Sequence, residues 1–254
     1  MANRVFELQD VTVRYGATVA LAGIDLTVAP GERIAVIGPS GAGKTTLIGL
    51  LNGTSVATEG RVRALGCEYT TADVRAVRVT QRRIGTIYQQ FDLVDQLRTV
   101  HNVNAGRLGS WPFWKGVLSL VRPQELRSVR AALDRVGIGD KINERTGSLS
   151  GGEKQRVAIA RVLVQKPVAI LADEPVASLD QARGRQIIDL LLALSIEAGV
   201  TLITSLHDVD LALSRFDRIV GLRAGRLIFD CSRKDLSDTE IEALYVLEPT
   251  VVRR

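Results

Sequence analysis

The chain has 254 residues, 46% of them hydrophobic, enough for one domain with a sizeable buried core. Only 4% are aromatic, so branched aliphatics and alanine must fill that core. The formal charge of +5 admits a phosphorylated ligand, an anionic membrane surface or nucleic acid, and equally a solvated arginine-rich surface; two cysteines far apart, Cys67 and Cys231, exclude a disulfide framework or a CxxC metal site and read as reduced thiols.

Residues 1–7 lack a basic stretch leading into an apolar core, so no secretory signal is expected. No apolar run reaches the ~20 residues of a membrane-spanning helix, and any membrane role is expected to run through a partner. Residues 5–13 and 24–28 alternate apolar and polar, which predicts half-buried strands. Pro30 and Gly31 make a turn. Residues 33–37 form a short apolar strand, followed by a glycine-rich stretch and a helix over 45–51. Leu126, Val129, Leu133 and Val136 recur at helical spacing behind Pro123, a residue suited to a first helical turn. A helix starting near Ser150 is expected to bury Val157, Ala160, Leu163 and Val164. Residues 168–172 read as a buried strand, 187–194 as helix and 200–205 as strand. Residues 219–222 and 226–229 flank Ala224 and Gly225 as a hairpin, and Ser237 with Glu240 is a capping box for the last helix. Strands alternating with helices around a helical middle predict an α/β fold, a single domain over 1–254 with a mostly parallel sheet and a helical subdomain inserted at about 90–166.

Three stretches carry chemistry. Gly38, Pro39, Ser40, Gly41, Ala42, Gly43, Lys44 and Thr45 match G-x-x-x-x-G-K-[ST], with an apolar strand before and a helix after. Glycines let successive backbone N–H groups turn inward on a phosphate, and the helix N-terminus adds positive potential. Lys44 can reach the β- and γ-phosphates of a nucleotide, Thr45 a Mg²⁺ ion, and Thr46 the α-phosphate. A buried strand ends in Asp173 and Glu174; Asp173 is placed to face Mg²⁺ through its water shell and Glu174 to polarise an attacking water. Ser150, Gly151 and Gly152, in Leu-Ser-Gly-Gly-Glu, open a helix as a second anion site or as a plain N-cap.

In this order the motifs resemble those of ABC (ATP-binding cassette) transporter nucleotide-binding subunits, over nearly the whole chain. The resemblance implies a P-loop ATPase core with an antiparallel β subdomain and an inserted helical subdomain. It implies ATP as ligand with Mg²⁺, and Lys44, Gln89, Glu174 and His207 as the catalytic group. Ser178, Leu179 and Asp180 match the D-loop, His207 the switch histidine and Tyr15 the aromatic that stacks on adenine. Gln89 matches the Q-loop glutamine, a metal contact, with adjacent Gln90 as competitor. Glu153 stands where many relatives have Gln, and His101 is expected to be an exposed helix-start residue. The resemblance further implies a second copy of the chain, whose Ser150, Gly151 and Gly152 cover the ATP of the first. It also implies two transmembrane permease subunits, an external solute-binding protein and a place on the cytoplasmic face of a bacterial inner membrane. No nucleic acid is expected. Phe91, Leu93, Val94 and Leu97 follow Gln89 and suit a relay, and Trp111, Phe113 and Trp114 suit either core packing or an exposed docking patch.

Finer features, among them Trp111-Pro-Phe-Trp114 and Gly221-Leu-Arg-Ala-Gly225, are similar to phosphonate-import ATPases. Gln181 replaces the Pro usual in that branch and Ser205 an Asn; neither is expected to touch the core chemistry. An importer for another solute, such as phosphite, a phosphate ester or an amino acid, is the alternative, and a non-transport ATPase acting on nucleic acid a more distant one.

Overall fold

The structure, a computed structural model, describes residues 4–177 and 179–245; Ser178 of the expected D-loop and residues 1–3, within the segment expected to carry no secretory signal, lie outside the described residues. Strands β1 (Phe6–Tyr15) and β2 (Thr18–Val28) lead into the short apolar strand β3 (Arg33–Ile37) and helix α1 (Lys44–Leu51). After β4 (Glu59–Ala64), β5 (Cys67–Glu68) and α2 (Val74–Gln81) comes β6 (Ile84–Ile87). The next segment holds helices α3 (Thr99–Asn104), α4 (Phe113–Val121), α5 (Leu126–Arg135) and α6 (Gly151–Gln165), with 3-10 turns between them. The chain ends with β7 (Ala169–Asp173), α7 (Gln181–Ala198), β8 (Thr201–Leu206), α8 (Val209–Arg215), β9 (Arg218–Arg223), β10 (Arg226–Ser232) and α9 (Asp238–Tyr245).

Two sheets form. A four-stranded antiparallel sheet runs β2-β1-β4-β5, and a six-stranded sheet runs β10-β9-β3-β8-β7-β6. In the second sheet every pairing is parallel except the β9–β10 hairpin. Covered on both faces, β3 and β7 are apolar except for Arg33 and Asp173 at their ends, whereas β8 also buries Thr201, Thr204 and Ser205. Accordingly Ile34 and Val36 pack with the antiparallel sheet and α1, while Ala35 and Ile37 pack with the helices on the other face. Each fully buried leucine or isoleucine there contributes about 1.5–3 kcal/mol of transfer free energy.

Local departures from expectation have physical causes. β2 begins at Thr18, earlier than its alternation predicts, because residues 18–21 pair with the end of β1 through a register shift. α5 starts at Leu126, so Pro123 lies outside it: Glu125 takes a left-handed conformation (φ 46°) and its carboxylate accepts from Trp111 Nε1 (3.1 Å) and Lys115 Nζ (2.7 Å). His101 is half-buried, with Nδ1 2.9 Å from the Ser119 carbonyl, rather than exposed. Phe113 and Trp114 are 88% and 66% exposed, which removes them from the core. Cys67 and Cys231 are free. Among the described residues no helix is long and apolar enough to cross a membrane.

Candidate active site

All the parallel strands end on one edge, and the site is built there. β3 ends at Ile37 and the chain turns at Gly38, where φ is +151° and an added Cβ would lie 2.0 Å from the Leu222 carbonyl oxygen. Only glycine fits that approach. The loop is braced from behind by the β9–β10 turn: Gly225 N–H donates to Ala42 O (3.0 Å), and Ala22 N–H donates to Gly225 O (2.8 Å). This gives the 221–225 run a mechanical reason to sit where it does. Gly43, left-handed at φ 104°, precedes α1, and no side chain caps that helix. Its first-turn N–H groups are therefore open to an anion.

Lys44 is buried, 4% exposed, and its Nζ donates to the carbonyls of Gly38 (2.8 Å) and Pro39 (3.2 Å). Burial lowers its pKa, and the charges of Glu174 and Asp173 pull it back up. A phosphate beside Nζ would act in the same direction as those carboxylates. Thr45 is exposed at the start of α1 and Thr46 half-buried behind it, while Ser40 and Gly41 are exposed on the loop.

β7 delivers Asp173 and Glu174 opposite this loop. Asp173 is buried, and Glu174 follows in a left-handed conformation (φ 47°) that turns its side chain out of the strand direction. Its Oε1 lies 2.5 Å from His207 Nε2 and 3.8 Å from Lys44 Nζ. His207 comes from the loop after β8, so the parallel pairing of β7 and β8 brings acid and imidazole together. A cavity of about 360 Å³ opens beside the pair, lined in part by Asp180, Leu179 and Leu211.

Other expected residues share no hydrogen bond or ion pair with Lys44, Glu174 or His207 among the described residues. Tyr15 ends β1, 56% exposed, with its hydroxyl 3.2 Å from Ser55 Oγ. Gln89 and Gln90 are exposed in the turn after β6. Asp180 caps α7, accepting from Arg183 N–H (2.9 Å). Ser150, Gly151 and Gly152 open α6 and, among the described residues, share no hydrogen bond or ion pair with the Lys44 loop.

Against known proteins, a profile described as "ABC transporter" matches residues 21–177, more than half of the chain. The chain belongs to the ABC transporter family. A Pseudomonas aeruginosa relative, "Phosphonates import ATP-binding protein PhnC 1", is 45% identical over 92% of the chain and 88% of its own length. A Nocardia farcinica relative, "Phosphonates import ATP-binding protein PhnC", is 42% identical over 96% of the chain and 91% of its own length. An Anaeromyxobacter dehalogenans relative of the same name is 47% identical over 91% of the chain, which spans 46% of that longer protein. Among solved structures, cbiO1 of Clostridium perfringens, part of an ABC transporter complex, superposes with a TM-score of 0.80 at 28% identity, covering 94% of this chain and 93% of that one. The dimeric bacterial cassette MJ0796 superposes with a TM-score of 0.77 at 28% identity, covering 91% and 100%. The chain is thus an ATP-binding cassette with the α/β fold its motifs predicted.

Three residues of this cassette carry more than their sequence suggested. Ser205, fully buried, was expected to stay clear of the core chemistry; instead its hydroxyl donates to Asp173 Oδ1 (2.7 Å) and accepts from the Glu174 N–H (2.8 Å). Arg161 of α6 donates to the carbonyls of Phe91 (2.7 Å) and Asp92 (2.6 Å), clamping the two left-handed residues just after Gln89 and Gln90. Glu153 completes a capping box: its Oε2 accepts from Ser150 N–H and Oγ, both at 2.8 Å, and these bonds hold its carboxyl below the usual range. The Ser-x-x-Glu spacing was the available signal for the last; no local signal marked the first two.

Proposed function

We propose that the chain is the ATP-hydrolysing subunit of a phosphonate importer. It works as a pair of copies beneath two membrane-spanning permease subunits, on the cytoplasmic face of a bacterial inner membrane, fed by an external solute-binding protein. The observation that carries the hydrolytic part is Glu174 Oε1, 2.5 Å from His207 Nε2 and 3.8 Å from Lys44 Nζ. The importer assignment draws support from relatives named for phosphonate import, at 42% and 45% identity.

The Gly38–Thr45 loop binds the β- and γ-phosphates of ATP through its N–H groups, with Lys44 leaving the Gly38 and Pro39 carbonyls for phosphate oxygens. Thr46 reaches the α-phosphate and Tyr15 stacks on the adenine. Thr45, Asp173 and Gln89 present oxygen donors of the kind Mg²⁺ takes, and would hold it with the phosphates. Bound there, Mg²⁺ supplies positive charge against the developing phosphate charge. Glu174 orients a water for attack on the γ-phosphorus and accepts its proton; the products are ADP and phosphate. His207 fixes the Glu174 carboxylate and reaches the γ-phosphate. Ser150, Gly151 and Gly152 of the second copy close the pocket, with Asp180 at the same junction. Closure and reopening of the pair is the output. Residues 90–166 form the helical subdomain that passes it to the permeases, and the exposed Phe113 and Trp114 suit a docking role there.

The test is ATPase activity of the reconstituted importer with its binding protein loaded with methylphosphonate, phosphite or phosphate in turn. Stimulation by methylphosphonate alone is expected. Equal stimulation by phosphate or phosphite, or none by methylphosphonate, would overturn the cargo assignment.

A further inference from the structure

A single buried hydroxyl joins the two carboxylate residues of the site. Ser205 sits directly across from Asp173 in the parallel β7–β8 register and is 0% exposed. Its one proton goes to Asp173 Oδ1 (2.7 Å) and its lone pair receives the Glu174 N–H (2.8 Å). Two residues later the same strand end carries His207, whose Nε2 meets Glu174 Oε1 at 2.5 Å. The Glu174 backbone is left-handed at φ 47°, a conformation that costs a non-glycine residue about 1–3 kcal/mol unless its surroundings hold it. The Ser205 hydroxyl accepts the backbone N–H of this left-handed residue.

We infer that Ser205 is a positioning residue for ATP hydrolysis, holding Asp173 on the metal side and the Glu174 turn on the water side through one hydroxyl. This rests on the roles proposed above for Asp173 and Glu174. Ser205 is fully buried and acts through Asp173 and Glu174. It fixes which Asp173 oxygen is committed within the protein, Oδ1, and leaves Oδ2 for the metal's shell. It also fixes the backbone that aims the Glu174 carboxylate at His207. Any side chain able to donate and accept at once meets both demands. A serine, a threonine or an asparagine amide qualifies, whereas alanine or valine leaves a buried carboxylate oxygen and a buried N–H without partners.

The decisive comparison is Ser205→Thr against Ser205→Val, two β-branched side chains of nearly equal volume that suit a strand and differ in the hydroxyl. With Ser205→Val, kcat at saturating Mg-ATP is expected to fall about 10- to 100-fold, the range typical when a group orienting a ligand is removed, with KM for ATP little changed. Ser205→Thr and Ser205→Asn are expected to restore most of the rate. A readout independent of turnover is the Mg²⁺ concentration that half-saturates binding of a fluorescent ATP analogue in a Glu174→Gln background. Adding Ser205→Val is expected to raise it about 10-fold or more, and adding Ser205→Thr to leave it in place. Melting curves establish that each variant is folded. Equal kcat and equal Mg²⁺ dependence for folded Val and Thr variants would overturn the proposal. If instead Glu174→Gln alone hydrolyses ATP at the wild-type rate, the underlying assignment of Glu174 fails, a result distinct from any failure at Ser205.

Discussion

Glu174 meets three partners that arrive from different parts of the chain: His207, Lys44 and, through its backbone, Ser205. Replacing its carboxylate with an amide keeps the shape and removes the proposed proton acceptor. Glu174→Gln is expected to lower the hydrolysis rate about 10²- to 10⁴-fold, as loss of a general base does, while ATP still binds; single-turnover assays with labelled ATP separate the two. Lys44→Ala removes the buried ammonium that faces both carboxylates, and a fluorescent-nucleotide titration is expected to show weakened binding, not only slowed turnover. Gly38→Ala places a methyl 2.0 Å from the Leu222 carbonyl. Forcing the loop away from β9 is expected to cost about 1–3 kcal/mol of stability, visible as a lower melting temperature together with lost nucleotide affinity.

Helix α6 shows how a capping device and a functional motif share residues. Ser150 caps the helix, and removing such a cap costs about 0.5–2 kcal/mol. Glu153 accepts from the Ser150 N–H and hydroxyl, so its folded pKa lies below the ordinary 4.5. The stabilisation is therefore present above about pH 4.5 and disappears as pH falls through the lower folded value. Melting temperatures of wild type and Glu153→Gln are expected to differ most near neutral pH and to converge as acidification protonates the folded Glu153 carboxyl; a constant gap would contradict the cap's contribution. Elements whose signal is local were legible in the sequence. The apolar runs of β3 and β7, the Gly38–Thr45 loop and the Ser237–Glu240 box all carry their pattern within a few residues. What escaped depends on contacts across the chain. Pro123 suited a first helical turn, but a Glu125 carboxylate bound to Trp111 and Lys115 sets the start of α5 instead. His101 is drawn inward by a carbonyl on α4, and Ser205 acquires its partners only through the strand register opposite Asp173.

At the scale of the molecule, the expected nucleotide-binding residues of one chain fall into two groups. The Lys44 loop, Asp173, Glu174 and His207 converge, whereas the Ser150 loop shares no hydrogen bond or ion pair with them among the described residues. In the proposed assembly, a second copy brings its Ser150 loop over the first copy's phosphate loop. The central claim is that ATP itself joins two copies, and light scattering of the Glu174→Gln chain tests it most directly. The expected mass is that of the 27.5 kDa monomer without nucleotide, twice that with Mg-ATP, and the monomer again when Lys44→Ala is added. A monomer with ATP demonstrably bound would contradict the account.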